Sequence, residues 1–237
     1  MKNCTHYEYK APIRPDWCDY QECNCTLGPP FKENKTISCK VRRKGSGSWR
    51  TVSGKPGLKV KFDDDQTVSG FHGWKTDKFT LNNFVQGKGE SSGYEIFRSY
   101  GVIAPRTVLV NVCFGSPCVR QNYVMVEQIG SDFMKHHFGE KLCRYEVEGG
   151  IIENKKPEDC NDISKDDFQN PLLWNQTYLR AYLSAEIETN HWDGMCFQSI
   201  DSLNNGYLIV KNNSIYPVPW GLDQAMQCVK RFRERDK

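Results

Sequence analysis

The sequence predicts an α+β protein, because two kinds of hydrophobic periodicity follow one another along the chain. Apolar and polar residues alternate over Ile37–Val41 and Leu58–Phe62, which is the pattern of strands with one buried face. Apolar residues recur at helical spacing over Ser91–Tyr100 and Tyr178–Glu188. A length of 237 residues bounds the chain at one or two domains and suits one domain of two lobes.

The N-terminal part of the chain is predicted to be irregular up to the first strand. Residues 1–35 are rich in proline and cysteine and show no sustained periodicity. Between the first two strands, Arg43–Arg50 forms a glycine- and serine-rich turn that either reverses the chain or cradles phosphate. The helix Ser91–Tyr100 places Tyr94, Phe97 and Tyr100 along one face, and Gly101 follows as a typical C-cap.

Strands and helices are also predicted for the second half of the chain. In chain order they are strands Thr107–Val112 and Val119–Val126, a helix Asp132–Phe138 that stops at Gly139, a polar loop over residues 148–172, a buried helix Tyr178–Glu188 whose apolar stripe closes with Ile187, and a hairpin of Tyr207–Val210 and Ile215–Trp220.

Composition and charge indicate a globular protein and argue against a nucleic-acid partner. Hydrophobic residues make up 38% of the chain and aromatic residues 12%, which is too much for a disordered protein. The net charge of +3 is spread along the sequence. The densest basic cluster, Lys40–Lys44, is interpreted as the solvated edge of a strand, with an anion site as the alternative.

The sequence predicts a secreted, cell-surface or lumenal protein without a membrane span. No run of about 18 apolar residues occurs. Met1–Thr5 lacks a signal-peptide core, so the chain is either cytosolic or a fragment whose signal has been removed. Eleven cysteines favour the second reading, as do five N-glycosylation triplets, at Asn3, Asn24, Asn34, Asn175 and Asn212.

Two disulfides are predicted from the positions of cysteines around turns. Cys113 and Cys118 flank a turn between two strands, so a bond across the hairpin is expected. Cys143 and Cys160 could close a loop in the same way. An odd number of cysteines leaves at least one of them free or bonded to another chain.

Zinc is the alternative for the cysteines near the N-terminus. Cys18, Cys23 and Cys25 lie close together in the sequence. They lack a partner pair with the Cys-x-x-Cys or His-x-x-x-His spacing of structural zinc sites, so disulfides are preferred here.

Four stretches of sequence carry longer motifs. They are Arg43–Trp49 with Lys55–Phe62; Phe79–Asn83 leading to Tyr94–Arg106; Tyr123–Ile129 with Phe133–Gly139; and His191–Gly194 with Asn204–Leu208 and Val218–Gln224. In this order, over about residues 38–226, they resemble the CotH (spore-coat) family of secreted atypical protein kinases. The resemblance implies a two-lobed, kinase-like fold that binds ATP.

The resemblance also implies domain boundaries. The Cys- and Pro-rich extension would span 1–35, a strand-rich kinase-like N-lobe with one helix 36–130, and a kinase-like C-lobe 131–237. Because the chain stops fourteen residues after Asp223, the C-lobe is expected to be small or incomplete.

Matching the motifs position by position implies roles for individual residues. Asp193 would orient the acceptor hydroxyl as the catalytic carboxylate, and Asn205 and Asp223 would hold Mg²⁺ or Mn²⁺, hard ions that prefer oxygen ligands. The γ-phosphate of ATP would pass to Ser or Thr hydroxyls of secreted or surface proteins. For each residue, the alternative is a loop Asp or Asn that caps a turn.

Nucleotide contacts are expected from the N-lobe. Lys59 would contact phosphate, although it shares a strand face with Lys61 and a solvated lysine pair is the alternative. Glu127 and Gln128 end a strand where the chain would pass between lobes, so their backbone could meet the adenine; a surface glutamate is the alternative. The helix glutamate that would pair with the lysine is either Glu90 or Glu95, two residues that the sequence does not separate.

A second hypothesis of another class is a non-catalytic module. A degenerate kinase stapled by disulfides could bind a partner protein at the cell surface. The short C-terminus favours this reading, as does the segment between Asn83 and Tyr94, which has Gly87 and Gly89 where the family's helix should begin. The turn Gly45–Ser48 is not a kinase GxGxxG loop and is weak evidence for phosphate binding. The presence of Asp193, Asn205 and Asp223 together favours the enzyme.

Overall fold

The fold is α+β and strand-rich, as the sequence predicts. The computed structural model describes residues 20–29, 31–32, 34–44, 55–63, 67–71, 74–83, 89–114, 118–148, 151–156, 160, 164–191, 193–196, 205–222 and 225–226. The chain divides into two compact units, the first made of Met1–Phe84 and Thr107–Asp132 and the second of Val85–Arg106 and Phe133–Lys237. Among the described residues, no helix is long and apolar enough to cross a bilayer.

An antiparallel sheet forms the first unit. Along the chain the strands are β1 (Gln21–Thr26), β2 (Thr36–Lys44), β3 (Gly57–Phe62), β4 (Val68–Phe71), β5 (Trp74–Thr76), β6 (Lys78–Asn82), β7 (Thr107–Phe114) and β8 (Val119–Glu127). The described sheet has the order β1-β2-β3-β6-β8-β7, and β4 and β5 form a separate two-stranded ribbon.

The alternating pattern of β3 determines which side chains enter the core of this unit. Leu58, Val60 and Phe62 are buried, whereas Lys59 and Lys61 are only partly covered. The three apolar side chains join a cluster contributed by neighbouring strands, which includes Ile37, Phe79, Leu81, Tyr123 and Met125. The predicted one-sided burial of this strand is therefore confirmed.

Two expectations for the N-terminal part were wrong. Gln21–Thr26 is not irregular, because it pairs with Thr36–Val41 as the edge strand β1. Arg43 and Lys44 continue β2 and pair with Leu58 and Gly57, so they do not belong to a turn. Both segments carry many polar residues because an edge strand and a sheet end face solvent, and this hides the strand period. Residues 45–50 lie outside the described part.

The second unit combines helices with another antiparallel sheet. Its elements are α1 (Gly89–Ser99), most of α2 (Ser131–Phe138), β9 (Cys143–Glu148), β10 (Ile151–Lys156), α3 (Lys165–Gln169), a 3₁₀ turn (Pro171–Leu173), α4 (Gln176–Thr189), β11 (Gly206–Lys211) and β12 (Ser214–Pro219). The described strands have the order β10-β9-β11-β12.

Helices α1 and α4 pack through aromatic side chains. The Phe97 and Tyr182 rings lie 5.1 Å apart between centroids, and both residues are buried. The predicted apolar stripes were wrong at their ends. Tyr100 is 41% exposed and donates to Glu188 at 2.6 Å, and Ile187 is 63% exposed. Each lies at a helix end, where solvent replaces the packing partner.

The predicted polar loop over residues 148–172 was also wrong. It contains β10, α3 and the 3₁₀ turn, and β10 pairs with β9 as a hairpin. Ser164 caps α3 through a reciprocal bond with Asp167, whose carboxylate accepts from Ser164 N at 2.9 Å. The polar residues that suggested a loop are capping and edge-strand residues.

The cysteine pairs confirm both predicted disulfides. Cys113 and Cys118 are bonded across the β7–β8 hairpin with their Cα atoms 5.3 Å apart. Cys143 is bonded to Cys160 with a Cα separation of 5.7 Å. A third pair, Cys25–Cys39, was not predicted and ties β1 to β2.

Candidate functional site

The candidate site begins where α4 ends. Asn190 adopts a left-handed conformation (φ 48°), and its backbone N–H bonds to carbonyls of the last turn, which stops the helix. His191 N donates to Glu186 O at 3.1 Å, and Gly194 N donates to His191 O at 2.8 Å. These bonds fold the segment that carries Asp193 into a tight turn directly after the helix.

The turn is built around the carboxylate of Glu186, which is fully buried. Met195 N donates to Glu186 Oε1 at 3.0 Å, and Cys196 N donates to Oε2 at 2.8 Å. The Nδ1 atom of His191, a residue only 1% exposed, lies 3.5 Å from Oε1. A buried carboxylate needs hydrogen-bond donors, and the N–H groups of Met195 and Cys196 supply them. Glu186 therefore holds both sides of the turn that presents Asp193.

Gly194 is required inside this turn because the carboxylate approaches its backbone closely. A Cβ atom at residue 194 would overlap Glu186 Oε1 and would lie 2.7 Å from His191 Nδ1. Neither neighbour is free to retreat, since both are buried.

The low-polarity surroundings of Glu186 also affect neighbouring groups. Burial, with Glu186 as the next cause, raises the pKa of Tyr182 well above its ordinary value. Burial and then the same carboxylate raise the pKa of the Cys196 thiol to about 11. Both groups therefore stay protonated at neutral pH.

Asp193 and Asn205, twelve residues apart, are brought into direct contact. Asn205 Nδ2 donates to Asp193 Oδ2 at 3.0 Å. Asn205 precedes β11 and has a left-handed backbone (φ 56°), which asparagine tolerates better than most residues. Because the amide nitrogen bonds to the carboxylate, Oδ1 is the Asn205 atom left to act as a ligand.

The backbone of Gly221 approaches the Asn205 side chain closely. It also has a positive φ of 69°, and a Cβ atom there would lie 2.5 Å from Asn205 Cγ and 2.6 Å from Oδ1. Only glycine allows the backbone to pass this close to the amide. The backbone of Gly221 therefore packs directly against the Asn205 side chain.

Asp223, the third residue of the predicted set, lies outside the described residues. The residues near it in sequence are packed: Leu222 is fully buried and Ala225 is 2% exposed. A Cβ atom at Gly93 in α1 would lie 3.2 Å from Leu222 Cδ1, and Met226 N donates to Thr189 O at 2.7 Å. The chain on both sides of Asp223 is thus anchored to α1 and to the end of α4.

The predicted nucleotide-contacting residues belong to the first unit. Lys59 is partly buried on β3, between Arg42 of β2 and Thr80 of β6. Glu127 is fully buried at the end of β8, so the surface alternative for this residue is wrong. Gln128 Oε1 accepts from Thr80 Oγ1 at 3.1 Å, which fixes its side chain against the sheet.

The structure separates the two helix glutamates that the sequence left equivalent. Glu95 has a 66% exposed side chain and pairs with Arg98 one turn later at 2.7 Å. Glu90 is 2% exposed in the first turn of α1. Glu95 is therefore a surface residue, and Glu90 is the buried carboxylate of this helix.

Sequence reasoning missed Glu186 and Gly221. The signal for Glu186 was present, because an acidic residue falls on the same helix stripe as Tyr182, Ala185 and Thr189, all of them buried. An acid on an apolar stripe must find donors elsewhere in the fold. No comparable local signal existed for Gly221, whose close neighbour lies sixteen residues earlier.

No family model matches the chain, and neither does the sequence of any curated protein.

Proposed function

We propose that the protein is a CotH-like protein kinase, which transfers the γ-phosphate of ATP to Ser or Thr hydroxyls of secreted or surface proteins. The observation that supports this most is the hydrogen bond between Asn205 and Asp193. It joins two of the three residues that the motifs assign to phosphoryl transfer, across a gap in sequence that gives no reason for them to meet.

The donor set fits a hard divalent cation. Asn205 offers its amide oxygen, and the resemblance adds the carboxylate of Asp223, so the ligands are oxygens of the kind that Mg²⁺ and Mn²⁺ bind. The metal would supply charge neutralisation on the phosphates. The chain contributes the orientation of the amide, which is held by Asp193 on one side and by Gly221 on the other.

In this proposal Asp193 orients the acceptor hydroxyl and takes up its proton. The carboxylate is partly exposed, so an acceptor can reach it, and one oxygen is held by Asn205. The Glu186 anchor keeps the turn from shifting. A carboxylate in a fixed position is what phosphoryl transfer needs, because catalysis there rests on positioning and electrostatics.

Lys59, Glu127 and Gln128 are assigned to the nucleotide. Lys59 would contact phosphate, and the backbone at Glu127 and Gln128 would meet the adenine. The buried Glu127 and the Thr80 bond to Gln128 support a rigid chain at this point. Three disulfide pairs among the described residues support an oxidising, extracellular or lumenal setting for such an enzyme.

The test is calorimetric ATP binding together with transfer of radiolabelled phosphate to a Ser/Thr peptide or to the protein itself. We expect binding with Mg²⁺ or Mn²⁺ and its loss in excess chelator. Asp223→Asn should lower both affinity and turnover, whereas Asp193→Asn should keep affinity and lose on the order of a hundredfold in rate.

Two results would count against the proposal. Equal ATP affinity with metal and with chelator would overturn the metal assignment. Metal-dependent ATP binding without transfer would favour the alternative, a non-catalytic pseudokinase that binds a partner protein at the surface.

A further inference from the structure

Three cysteine sulfurs meet on β1 and β2. Cys23 and Cys25 lie two residues apart on β1 and therefore share a face, and Cys39 lies directly opposite Cys23 on β2. Cys39 is bonded to Cys25, yet its Sγ is also 2.7 Å from Cys23 Sγ. The three sulfurs lie within 4.8 Å of one another.

We propose that this triad is a thiol–disulfide exchange site in which Cys39 alternates between two partners. The Cys23 thiolate attacks Cys39 Sγ, a Cys23–Cys39 bond forms, and the Cys25–Cys39 bond breaks. Cys25 leaves as a thiolate and takes up one proton, which balances the proton that Cys23 released. One disulfide and one thiol are present before and after, so the exchange needs no oxidant.

The two disulfide isomers, Cys25–Cys39 and Cys23–Cys39, differ in how far the bond is exposed to solvent, and this gives them different reactivity toward thiols. Cys39 is 1% exposed and Cys25 is partly buried, so the bond between them is shielded from solvent. Cys23 is exposed and borders a cleft of about 360 Å³, which Glu22, Lys40 and Asp63 also line. Moving the bond to Cys23 therefore moves it to the surface.

The co-substrate that fits such a surface bond is a small thiol. In the Cys23–Cys39 isomer, the attacking thiolate would bond to Cys23 Sγ, and Cys39 would leave and be protonated. The product is a mixed disulfide on Cys23 together with two thiols, Cys25 and Cys39. The cleft carries both charge signs, which suits a zwitterionic thiol such as glutathione.

The rate of the exchange depends on the fraction of Cys23 that is present as thiolate. Although Cys23 is exposed as a residue, partial burial of its sulfur raises the pKa of the thiol above its ordinary value, so the thiolate fraction at neutral pH is small. Among the described residues, the charged groups that line the cleft with it are Glu22, Lys40 and Asp63, with Lys40 Nζ 3.7 Å from Asp63 Oδ1. Exchange is therefore slow at neutral pH and accelerates as the pH rises.

The experiment maps disulfides in the full chain after an acid quench, which protonates thiols and stops exchange before they are blocked. In the parent protein we expect Cys39 bonded to Cys25 in one fraction and to Cys23 in another. Cys25→Ser should carry a Cys23–Cys39 bond, and Cys23→Ser should carry only Cys25–Cys39. The control is Cys196→Ser, which removes the other described free thiol and should leave both isomers.

Adding reduced glutathione supplies the second arm. A mixed disulfide should form on Cys23 in the parent and be absent from Cys23→Ser. The proposal is overturned if Cys39 stays a free thiol in Cys25→Ser, or if Cys23 is bonded in the parent to Cys4, Cys18 or Cys228, which lie outside the described residues. Glutathionylation at Cys25 or Cys196 without any at Cys23 would also overturn it.

Discussion

Replacing Gly221 by alanine tests the candidate site most directly, because one methyl group changes the position of one amide. The added Cβ atom would lie 2.5 Å from Asn205 Cγ, whereas carbon atoms in ordinary contact are about 3.5–4.0 Å apart. The Asn205 side chain must therefore retreat by about 1 Å or turn away. Either movement disturbs the geometry of its 3.0 Å hydrogen bond to Asp193.

The size of the effect follows from two separate contributions. Alanine at φ 69° costs about 1–2 kcal/mol of folding free energy, because a Cβ atom is disfavoured in the left-handed region. A displacement of about 1 Å at a site of this kind lowers a catalytic rate by about a hundredfold. The loss of rate should therefore exceed what a drop of about 1–2 kcal/mol in stability explains, since a domain of ordinary stability stays folded after such a loss.

The assays are urea unfolding for stability, and metal-dependent ATP binding and phosphate transfer for function. Gly206→Ala is the matched control, because this glycine directly follows Asn205 and a Cβ atom added to it would have no described atom within 4 Å. It should leave phosphate transfer within about twofold of the parent, a change near the ±0.5 kcal/mol typical of neutral sites.

A double-mutant cycle identifies the route by which Gly221→Ala acts. Asn205→Gly removes the side chain while keeping a residue that adopts φ 56° easily. If Gly221→Ala works by displacing the amide, it should have little further effect on transfer in the Asn205→Gly background. Full additivity of the two losses, or normal transfer by Gly221→Ala alone, would refute the reasoning.

Three further predictions concern the surroundings of the site and the disulfides. Glu186→Gln replaces one of the two carboxylate oxygens that accept from Met195 N and Cys196 N, so urea unfolding should show a loss of about 1–3 kcal/mol. The exposed Glu188→Gln should lose almost nothing, and equal losses would refute the anchoring role. Because the pKa of Cys196 is raised from 9.0 to about 11, its alkylation in Cys23→Ser should keep accelerating up to about pH 11, and a plateau near pH 9 would contradict this. The Cys113–Cys118 and Cys143–Cys160 disulfides close loops of 5 and 17 residues. Changing both cysteines of a pair to serine should therefore lower the free energy of unfolding in urea by about 2 kcal/mol for the first pair and about 3 kcal/mol for the second. The reverse order would show that loop closure is not the main cause.

The parts of the fold that the sequence predicted are those whose signals are local. The β7–β8 hairpin, its disulfide and the helix α4 each show a period or turn within a few residues. The strands β1 and β10 were not predicted, because they lie at sheet edges, where polar residues interrupt the alternation of apolar and polar side chains. Their identity depends on a partner strand elsewhere in the chain, which no local pattern records.

The candidate site, too, could be predicted only in part from the sequence. Asp193 and Asn205 were proposed together because of the order of motifs and not because of their spacing, and the structure brings them into contact. The lysine and glutamate assignments, Lys59 and Glu127, stay predictions about a nucleotide. Glu186 could have been suspected from its place on an apolar stripe, but its partners depend on how the chain returns after the helix.

The backbone around the Asp193–Asn205 pair explains why its geometry is specific to these residues. Asn190, Asn205 and Gly221 all have positive φ angles, at the points where a helix or strand gives way to a loop. At residue 205 glycine would adopt the same backbone at lower cost, so asparagine contributes there through its side chain. The described hydrogen bond of that side chain is the one to Asp193. The residue packed beside it, Gly221, has no room for a Cβ atom. A residue held in a less favoured backbone conformation for the sake of one polar contact is typical of functional sites, where the surrounding packing tolerates the strain. A role for the pair in binding or chemistry stays a proposal, and the Gly221→Ala variant tests it.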